Sequence, residues 1–381
     1  MVSDGADILT GLTRLRKHYD SPFAIAAWET CQMRRIASVK FGEQSHEMFF
    51  AREALEQASS GPLARYHAQY FIDAGVESIV DACCGVGSDT LAFARAGMRV
   101  TSYEIDPVRA LFAERNVAVA GYSESVRVCC DDGTRHLTDG DGLWLDPARR
   151  NGTRRIVDPD EYLPPVSILK SLPPHELRAI GVKMASAVNH GIAAAHNAAL
   201  EFVSEDGECK EALLWLNRRS EHDSRVKATI VRTGSSESIY GRPDIEVHDE
   251  REISNVGYLY EPDPAVIRAH LVRTLGAKLD ASPVDPHIAY LVGNTLSHSS
   301  FCASFRVLER FQYSLRRLQT ELTARDVGKI IIKKRGFSIE PPKLTRQLKL
   351  TGQREMIVVI ARVGRAHDVF LCERLDHDVA Q

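Results

Sequence analysis

The residues with the clearest chemical meaning lie in one short segment, Val80–Thr90, which reads VDACCGVGSDT. An apolar run ends at Asp81, the chain turns through Gly85 and Gly87, and an amphipathic helix pattern begins near Thr90. Glycine is expected where the backbone takes a positive φ or passes close to a ligand. Because a helix N-terminus also attracts polar and anionic groups, the segment predicts a ligand-binding loop.

A second acidic position follows 17 residues after Gly87. The apolar run from Met98 to Tyr103 ends at Glu104, with Ile105 and Asp106 immediately after it. A carboxylate at the end of this second strand is placed to accept hydrogen bonds from both hydroxyls of a ribose. The two motifs together predict a cofactor that contains a nucleoside.

The loop composition narrows the choice of cofactor. A dinucleotide loop has the spacing G-x-G-x-x-G, but the third place here is Thr90, and Asp81 and Asp89 would repel a pyrophosphate. Carboxylates suit a ligand with an ammonium and a sulfonium. The segment resembles the first motif of class I S-adenosylmethionine methyltransferases. This resemblance implies a cofactor set made of Asp81, Cys83, Gly85, Gly87, Glu104 and Ile105.

Two further apolar runs end in polar residues. Ser125–Cys130 is followed by Asp131 and Asp132, and Gly142–Leu145 is followed by Asp146-Pro147-Ala148-Arg149. Ligands of open α/β sheets lie beyond the carboxyl ends of the strands, so four such ends predict one site. The alternative, that each acid only caps a helix, is less favoured for four strands in succession. In the methyltransferases an acid at the position of Asp131 and Asp132 receives the adenine amino group.

The order of elements predicts an α/β fold with a Rossmann-like sheet. We expect a helical N-terminal region over 1–75, a cofactor-binding domain over 76–245, a helical bridge over 246–300 and an α+β domain over 301–378. The alternation of strands and helices from Val76 to about Arg232 is typical of a mostly parallel sheet. The last part reads strand, helix, strand, helix and hairpin.

Composition indicates an ordinary globular protein of 381 residues with a net charge of −3. The eight cysteines match no zinc spacing and no compact disulfide pattern, so we expect no metal. The N-terminal residues lack the features of a signal peptide, and no stretch has the length of a membrane span. We therefore expect a soluble, cytoplasmic protein.

Positive charge is concentrated near the C-terminus. Between Phe301 and Arg365 there are fifteen Lys or Arg residues and five Asp or Glu residues. Such asymmetry indicates a part of the chain that meets a polyanion, although surface cations also serve solubility. The residues that we expect to contact RNA are Lys333, Lys334, Arg335, Arg316 and Arg317.

Nearly the whole chain resembles the bacterial class I methyltransferases that carry a C-terminal THUMP-like domain. The resemblance includes Lys40-Phe41-Gly42, the Asp81–Gly87 segment, Asp146-Pro147-Ala148-Arg149-Arg150 and Ile331–Gly336. It implies S-adenosylmethionine as the cofactor. Because THUMP domains occur in enzymes that modify RNA, it also implies an RNA substrate (tRNA or rRNA).

The fourth-strand motif is compared with that of amine-methylating relatives, which have Asp or Asn, Pro, Pro and an aromatic residue. This chain keeps Asp146 and Pro147 but has Ala148 and Arg149 at the next positions. Asp146 is suited to orient an amine, and Arg149 to stack on a base or hold a phosphate. The predicted catalytic set is therefore Asp146, Pro147 and Arg149.

Alternatives stay open at this point. Arg149 and Arg150 could instead form salt bridges with Asp158 or Asp160, and Lys183 is a further charged candidate at the pocket. The substrate could be a small molecule or a protein. The chain could also be a non-catalytic RNA-binding protein on a methyltransferase fold.

Overall fold

The computed structural model of the chain describes residues 8–151, 154–173, 177–216, 226–244 and 256–375. The first of these ranges opens with helices. Asp20 caps the longest of them by accepting a 2.9 Å hydrogen bond from Phe23 N, and Gly42 ends it with a φ of +62°. The helices are α1 (Ile8–Leu15), α2 (Ser21–Phe41), α3 (Arg52–Gln57) and α4 (Gly61–Asp73).

Alternating strands and helices follow, and the predicted α/β class is confirmed. Asp106 caps the helix that begins at Pro107 by accepting hydrogen bonds from Val108 N and Arg109 N. The elements are β1 (Ser78–Asp81), α5 (Ser88–Arg95), β2 (Arg99–Tyr103), α6 (Pro107–Val119), β3 (Val126–Cys129) and β4 (Gly142–Leu145).

The remaining elements of this sheet have antiparallel as well as parallel neighbours. Strand β4 pairs in parallel with the next long strand, which in turn pairs antiparallel with the strand ending at Leu216. In chain order, β5 (Arg150–Asn151) and β6 (Arg154–Arg155) form a separate two-stranded sheet. The elements that follow them are β7 (Ala179–Met184), α7 (Gly191–Ala195), β8 (Ala199–Glu205), β9 (Glu208–Leu216), β10 (Val226–Arg232) and β11 (Ser235–Gly241).

The strand order places the functional loops. The nine strands run β11-β10-β8-β9-β7-β4-β1-β2-β3, and β1 is parallel to both β2 and β4. After β3 the chain returns across the sheet to β4, so the order reverses beside β1. Ligands of doubly wound sheets bind at such a switch point, beyond the carboxyl ends of the strands.

An aromatic core fixes these strands against α4 and α5. The rings of Phe71, Phe93 and Trp144 meet edge to face, with centroids 5.4 to 6.2 Å apart. Gly181 on β7 is required by close packing, because a Cβ there would lie 2.4 Å from Trp215 Cζ3. The sheet core therefore depends on a small residue between two tryptophans.

Two compact units divide the chain. The first comprises 1–201, 210–223 and 231–236, and the second comprises 202–209, 224–230 and 237–381. Strands β8 to β11 are shared between the units. Among the helices in the described ranges, none is long and apolar enough to cross a membrane.

The second unit is built on a seven-stranded sheet of order β13-β14-β12-β15-β18-β17-β16. Among its described strands, β16 and β17 pair in parallel and the other neighbours are antiparallel. Its elements are β12 (Tyr258–Pro262), α8 (Pro264–Arg268), α9 (Val272–Leu279), β13 (Ser282–Asp285), β14 (Ile288–Gly293), β15 (Cys302–Gln312), α10 (Leu315–Ala324), β16 (Val327–Arg335), α11 (Pro341–Gln347), β17 (Arg354–Val363) and β18 (Ala366–Arg374).

Both faces of this sheet are buried. Along β17, Met356, Val358 and Ile360 pack into one apolar cluster with Leu318 and Leu344 of the two helices. The alternate residues, Ile357, Val359 and Ala361, belong to a second cluster. Because successive side chains of a strand point to opposite faces, β17 contributes to two cores.

The predicted helical bridge over 246–300 needs correction in the part that the structure describes. It contains α8 and α9, but also β12, β13 and β14 of the seven-stranded sheet. Ser282–Asp285 and Ile288–Gly293 form a tight hairpin, because Asp285 accepts a hydrogen bond from His287 N in the turn.

Candidate active site

The glycine turn predicted from the sequence connects β1 to α5. Gly85 and Gly87 have φ values of +57° and +87°, in the region that glycine adopts without strain. The turn is closed by a hydrogen bond from Gly87 N to Cys84 O. It is also joined to the end of β2, because Gly85 N donates to Glu104 Oε2 at 3.0 Å.

A cavity of about 440 Å³ opens beyond the ends of β1, β2, β3 and β4. Additional walls come from α3 and from the segment after β6, through Ala54, Gln57, Leu163 and Pro164. Of the predicted cofactor residues, seven line this cavity and Gly87 does not. The seven are Asp81, Cys83, Gly85, Glu104, Ile105, Asp131 and Asp132.

Asp81 has an unsatisfied oxygen at this cavity. Its Oδ2 accepts a 2.6 Å hydrogen bond from Thr90 Oγ1, while its buried Oδ1 has no partner among the described residues. Burial raises the pKa of Asp81 to about 8, and the neighbouring carboxylates of Asp89 and Asp146 act in the same direction. A buried carboxylate oxygen of this kind fits a cationic ligand group such as the ammonium of S-adenosylmethionine.

Glu104 holds the backbone of both motifs. Its two carboxylate oxygens accept hydrogen bonds from Gly85 N and Asp106 N, each at 3.0 Å. Each carboxylate oxygen has a second lone-pair site, so the group can still accept hydroxyl donors from the cavity. The residue is 7% exposed, which places it at the cavity wall.

The two acids after β3, Asp131 and Asp132, line the cavity, and Asp132 also caps a helix. Asp132 Oδ1 accepts from Thr134 N and Thr134 Oγ1, which caps a 3-10 helix at Gly133–Arg135. Asp132 therefore caps a helix and also lines the cavity, so capping is not its only role in the structure. Gly133 is tightly placed, since a Cβ there would lie 2.3 Å from Ala82 O.

The three predicted catalytic residues are placed differently. Asp146 lines the cavity, with a side chain that is 19% exposed, whereas Pro147 and Arg149 are not among the lining residues. Arg149 Nη1 is buried without a hydrogen-bond partner in the described part of the chain. Salt bridges from Arg149 to Asp158 or Asp160 are not seen among the described residues, where these carboxylates accept backbone N–H groups. The side chain of Arg150, the other residue of this alternative, lies outside the described part.

Lys183 lies directly behind Asp146. Its Nζ donates to Asp146 Oδ2 at 2.7 Å, to Ser59 Oγ at 3.0 Å and to Gln57 O at 3.2 Å. The sequence signal for this residue is a cation at the end of the apolar strand β7. Its spatial partners, just after β4 and just before α4, could not be inferred from that signal.

A buried ionic cluster adjoins the cavity and was missed from the sequence. His67 is fully buried, with Nδ1 at 2.8 Å from Asp89 Oδ1 and Nε2 at 2.6 Å from Glu211 Oε1. Burial alone would lower the pKa of His67, but Glu211 and Asp89 outweigh it and raise this pKa to about 9. The partners are 22 and 144 residues away along the chain.

Four of the five predicted RNA-contacting residues form ion pairs within the second unit. Lys333 pairs with Glu261, Lys334 with Glu340, and Arg335 lies 3.9 Å from Glu261. Arg317 lies 3.6 Å from Glu309. Arg316 is exposed and has no ion pair among the described residues.

Other cations of this unit are exposed and unpaired in the described ranges. Lys343 and Arg346 on α11, and Lys349 after it, recur every three residues. The backbone N–H of Lys349 donates to Gln319 Oε1 at 2.9 Å, which places these cations against α10. Gln319 lies about one turn after Arg316 on that helix. We call Arg316, Lys343, Arg346 and Lys349 the helical basic surface.

Metal ligation finds no support in the described ranges, where no group of three or more His, Cys, Asp or Glu side chains could hold an ion.

Comparisons with known proteins agree with this architecture. A Mycobacterium tuberculosis protein, described as an uncharacterized S-adenosylmethionine-dependent methyltransferase, is 32% identical over 348 residues, which are 89% of this chain and 93% of that protein. Its counterpart from a second strain matches equally well. A solved Porphyromonas gingivalis W83 structure, provisionally assigned as a methyltransferase, has a TM-score of 0.77 at 17% identity. It covers 99% of this chain and 100% of its own, so the two share a fold.

Two family models match separate parts of the chain. The model described as THUMP domain-like matches residues 302–374, which confirms the predicted C-terminal resemblance. The model described as RNA cap guanine-N2 methyltransferase matches residues 76–142, from two residues before β1 to the start of β4.

Proposed function

The chain belongs to the S-adenosylmethionine-dependent methyltransferases, and we propose that it methylates a base in RNA. The observation that carries the proposal is the cavity at the switch point, where the free oxygen of Asp81 and the carboxylate of Asp146 both face the same space. The cofactor, when bound, supplies a methyl group on a positively charged sulfur. The residues of the chain must hold it and orient the acceptor.

We propose that the cavity residues divide the cofactor between them. Asp81 Oδ1 accepts from the amino-acid ammonium, because a cation satisfies a buried oxygen that otherwise lacks a partner. Glu104 accepts from the ribose hydroxyls while it fixes the turn at Gly85. Cys83, Gly85 and Ile105 pack along the ligand, and Asp131 and Asp132 face the adenine.

Orientation of the acceptor is assigned to the residues that follow β4. Asp146 presents a carboxylate at the cavity, and the backbone at Pro147 continues the same edge. A carboxylate that accepts from an amino group aligns the nitrogen lone pair with the methyl group. Arg149, with a buried and unpartnered Nη1, would stack on the base or hold a neighbouring phosphate.

An RNA acceptor is supported by the second unit and by the family matches. The THUMP domain-like match covers residues 302–374, which include all four residues of the helical basic surface, and the other model is named for an RNA cap guanine-N2 methyltransferase. Exposed cations without carboxylate partners are free to neutralise phosphates. Lys333, Lys334, Arg335 and Arg317 stay candidates, since exposed or half-buried ion pairs contribute only about 0 to 1 kcal/mol and phosphates can replace them.

The decisive experiment compares RNA nucleosides from cells with and without the gene by mass spectrometry. We expect one methylated nucleoside to disappear with the gene. It should reappear when the purified protein and S-adenosylmethionine are added to RNA from the deletion cells, but not with Asp146→Ala. Identical nucleoside profiles, with no methyl transfer to the extracted RNA, would refute the RNA substrate and favour a small molecule or a protein.

A further inference from the structure

Leu163 is a large apolar side chain that the fold leaves in contact with solvent at the cavity. It is 68% exposed, and it lines the cavity together with Pro164. Single exposed apolar residues are common on protein surfaces and need no explanation of their own. Leu163 differs from them by its place, because it lies at the wall of the cavity to which the cofactor is assigned.

The backbone holds Leu163 beside the segment that follows β4. Leu163 N donates to Ala148 O at 3.2 Å, and Ala148 N donates to Leu163 O at 2.9 Å. The preceding residue, Tyr162, is buried, and its hydroxyl accepts a 3.3 Å hydrogen bond from the N–H of Ala185, directly after β7. Leu163 is therefore held from two sides, and its exposure is not that of a free loop tip.

The strand order places Leu163 on one side of the cavity. Strand β1, which ends at Asp81, lies between β4 on one side and β2 and β3 on the other. Glu104 and Asp132, which are assigned to the ribose and the adenine, follow β2 and β3. Because Leu163 pairs with Ala148, it belongs to the β4 side, where the acceptor is expected rather than the adenosine.

No aromatic ring is available for an acceptor among the described residues of the cavity wall. The lining residues include no Phe, Tyr, Trp or His, and Arg149, whose planar side chain is suited to stacking, is not among them either. On the β4 side the apolar part of the wall consists of Ala148, Leu163 and Pro164. A flat acceptor would therefore meet aliphatic groups there.

We propose that Leu163 and Pro164 form an aliphatic platform for one face of the acceptor base, and that Leu163 is a specificity-determining residue. The proposal rests on the proposed function and deepens it by naming the contact that holds the acceptor. A base inside a duplex is covered on both faces by its neighbours, and it loses this cover when it enters an enzyme pocket. Every base has a flat π-face, so the platform replaces one of the lost neighbours. Arg149 is then left for a phosphate.

Methyl transfer to RNA from the deletion cells tests the platform with a Leu163→Ser variant. Because Leu163 is largely exposed, this variant should unfold at the same denaturant concentration as the wild-type protein. We expect its kcat/KM for RNA to fall by about tenfold to a hundredfold, which corresponds to the burial of one leucine side chain. The change should lie mainly in KM, since the contact exists before and during the transfer. Leu163→Phe, which offers a larger apolar surface, should retain the activity.

Val157→Ser is the matched control. Val157 lies in the same segment between β6 and β7 and is 47% exposed, but it does not line the cavity, so this variant should behave as wild type. Calorimetry with S-adenosylhomocysteine should give equal affinities for the wild-type protein and both serine variants. An unchanged kcat/KM in Leu163→Ser would overturn the proposal. A loss of S-adenosylhomocysteine affinity as large as the loss of kcat/KM would also overturn it, because Leu163 would then contact the cofactor.

A second measurement does not depend on RNA methylation. The protein saturated with S-adenosylhomocysteine is mixed with adenosine, guanosine, cytidine or uridine, and saturation-transfer NMR detects base protons that touch the protein. We expect a signal from at least one nucleoside with the wild-type protein and its loss with Leu163→Ser. No signal with the wild-type protein, or an equal signal with Leu163→Ser, would refute the platform.

The two measurements separate this proposal from the proposed function. If the wild-type protein methylates no RNA but shows the nucleoside contact through Leu163, the RNA substrate is refuted and the platform is supported. If RNA is methylated equally well by Leu163→Ser, the platform is refuted and the RNA substrate stands.

Discussion

Gly85 N donates a 3.0 Å hydrogen bond to Oε2 of Glu104, which joins the glycine turn after β1 to the acid that ends β2. The two motifs recognised separately in the sequence are therefore one mechanical unit. A disturbance of the turn must also displace the proposed ribose-binding carboxylate.

Replacement of Gly85 by alanine tests this unit. Gly85 has a φ of +57°, and a Cβ there meets no atom within 4 Å, so the strain is limited to the left-handed backbone, about 1 to 2 kcal/mol. Gly97→Ala is the matched control, because Gly97 has a φ of +88°, equal space and no place in the cavity. We expect similar losses of unfolding free energy in both variants and a loss of S-adenosylmethionine affinity in Gly85→Ala alone. Equal affinities by calorimetry would argue against ligand contact at the turn.

Binding of the cofactor should release a proton. The pKa of Asp81 in the free protein is raised to about 8, whereas a bound ammonium requires the carboxylate. Below pH 8 the affinity should therefore increase with pH, by up to about tenfold per unit, and level off above it. Calorimetry at pH 7 in phosphate and in Tris measures the released proton through the buffer ionisation heats. Asp81→Asn should bind more weakly and release none; a wild-type protein that releases none either would contradict the assignment.

Stability should decrease in mildly alkaline solution because of His67. Its folded-state pKa, about 9, exceeds the ordinary 6.5, so its contribution is complete below pH 6.5 and is lost as the pH rises through 9. The contribution is on the order of 3 kcal/mol. The raised pKa of Asp81 acts in the same direction, with loss of stability as the pH rises toward and through 8.

Denaturant unfolding of His67→Gln separates the contribution of His67 to the pH dependence of stability from that of Asp81. This variant leaves Asp89 and Glu211 buried without their cation, so we expect a loss of about 3 to 5 kcal/mol at pH 6.5 and a flatter profile above it. His136→Gln is the control, since His136 also lies between two acids, Asp131 and Asp139, but at the surface. An unchanged slope between pH 6.5 and 9 in His67→Gln would show that His67 does not titrate there.

RNA binding should depend on the helical basic surface. A variant with Arg316, Lys343, Arg346 and Lys349 changed to serine should bind extracted RNA more weakly. The slope of log K against log salt should fall by about 0.7 to 0.9 for each phosphate contact removed. Two comparison variants are informative. The double variant Lys329→Ser/Arg354→Ser removes two ion-paired cations and is the control. The triple variant Lys333→Ser/Lys334→Ser/Arg335→Ser tests the residues predicted from the sequence. If the variant changed at Lys333, Lys334 and Arg335 lost more RNA affinity than the variant of the helical basic surface, the RNA would lie on β16 instead.

The sequence was sufficient to group those cavity residues that adjacent parallel strands bring together. Parallel strands end at one edge, so Asp81, Glu104, Asp132 and Asp146 could be grouped without any knowledge of side-chain contacts. The residue His67 could not be found in this way, because its partners come from α5 and β9 and no local pattern links them. Nor did the run Lys333-Lys334-Arg335 reveal that Glu261 and Glu340 neutralise it.

Secondary structure at the start of the seven-stranded sheet was harder to predict for a local reason. Ser282–Asp285 and Ile288–Gly293 are short strands separated by two residues, one of which is a proline. They pair with each other, and Ile288–Gly293 also pairs with β12, in a sheet whose other four strands follow later in the chain. A single sequence contains little trace of such pairing.

Ser59 has a consequence for any attempt to shorten this protein. Its hydroxyl lies between Lys183 Nζ and Asp89 Oδ2, and its carbonyl accepts from Ser88 Oγ. A fragment beginning at residue 76, where the match to a catalytic family model starts, would discard that link together with His67. Asp89 and Glu211 would then keep their charges without the imidazole that separates them. The N-terminal helices thus supply the cation that balances two buried carboxylates of the sheet. A fragment without these helices should be insoluble or unable to bind the cofactor.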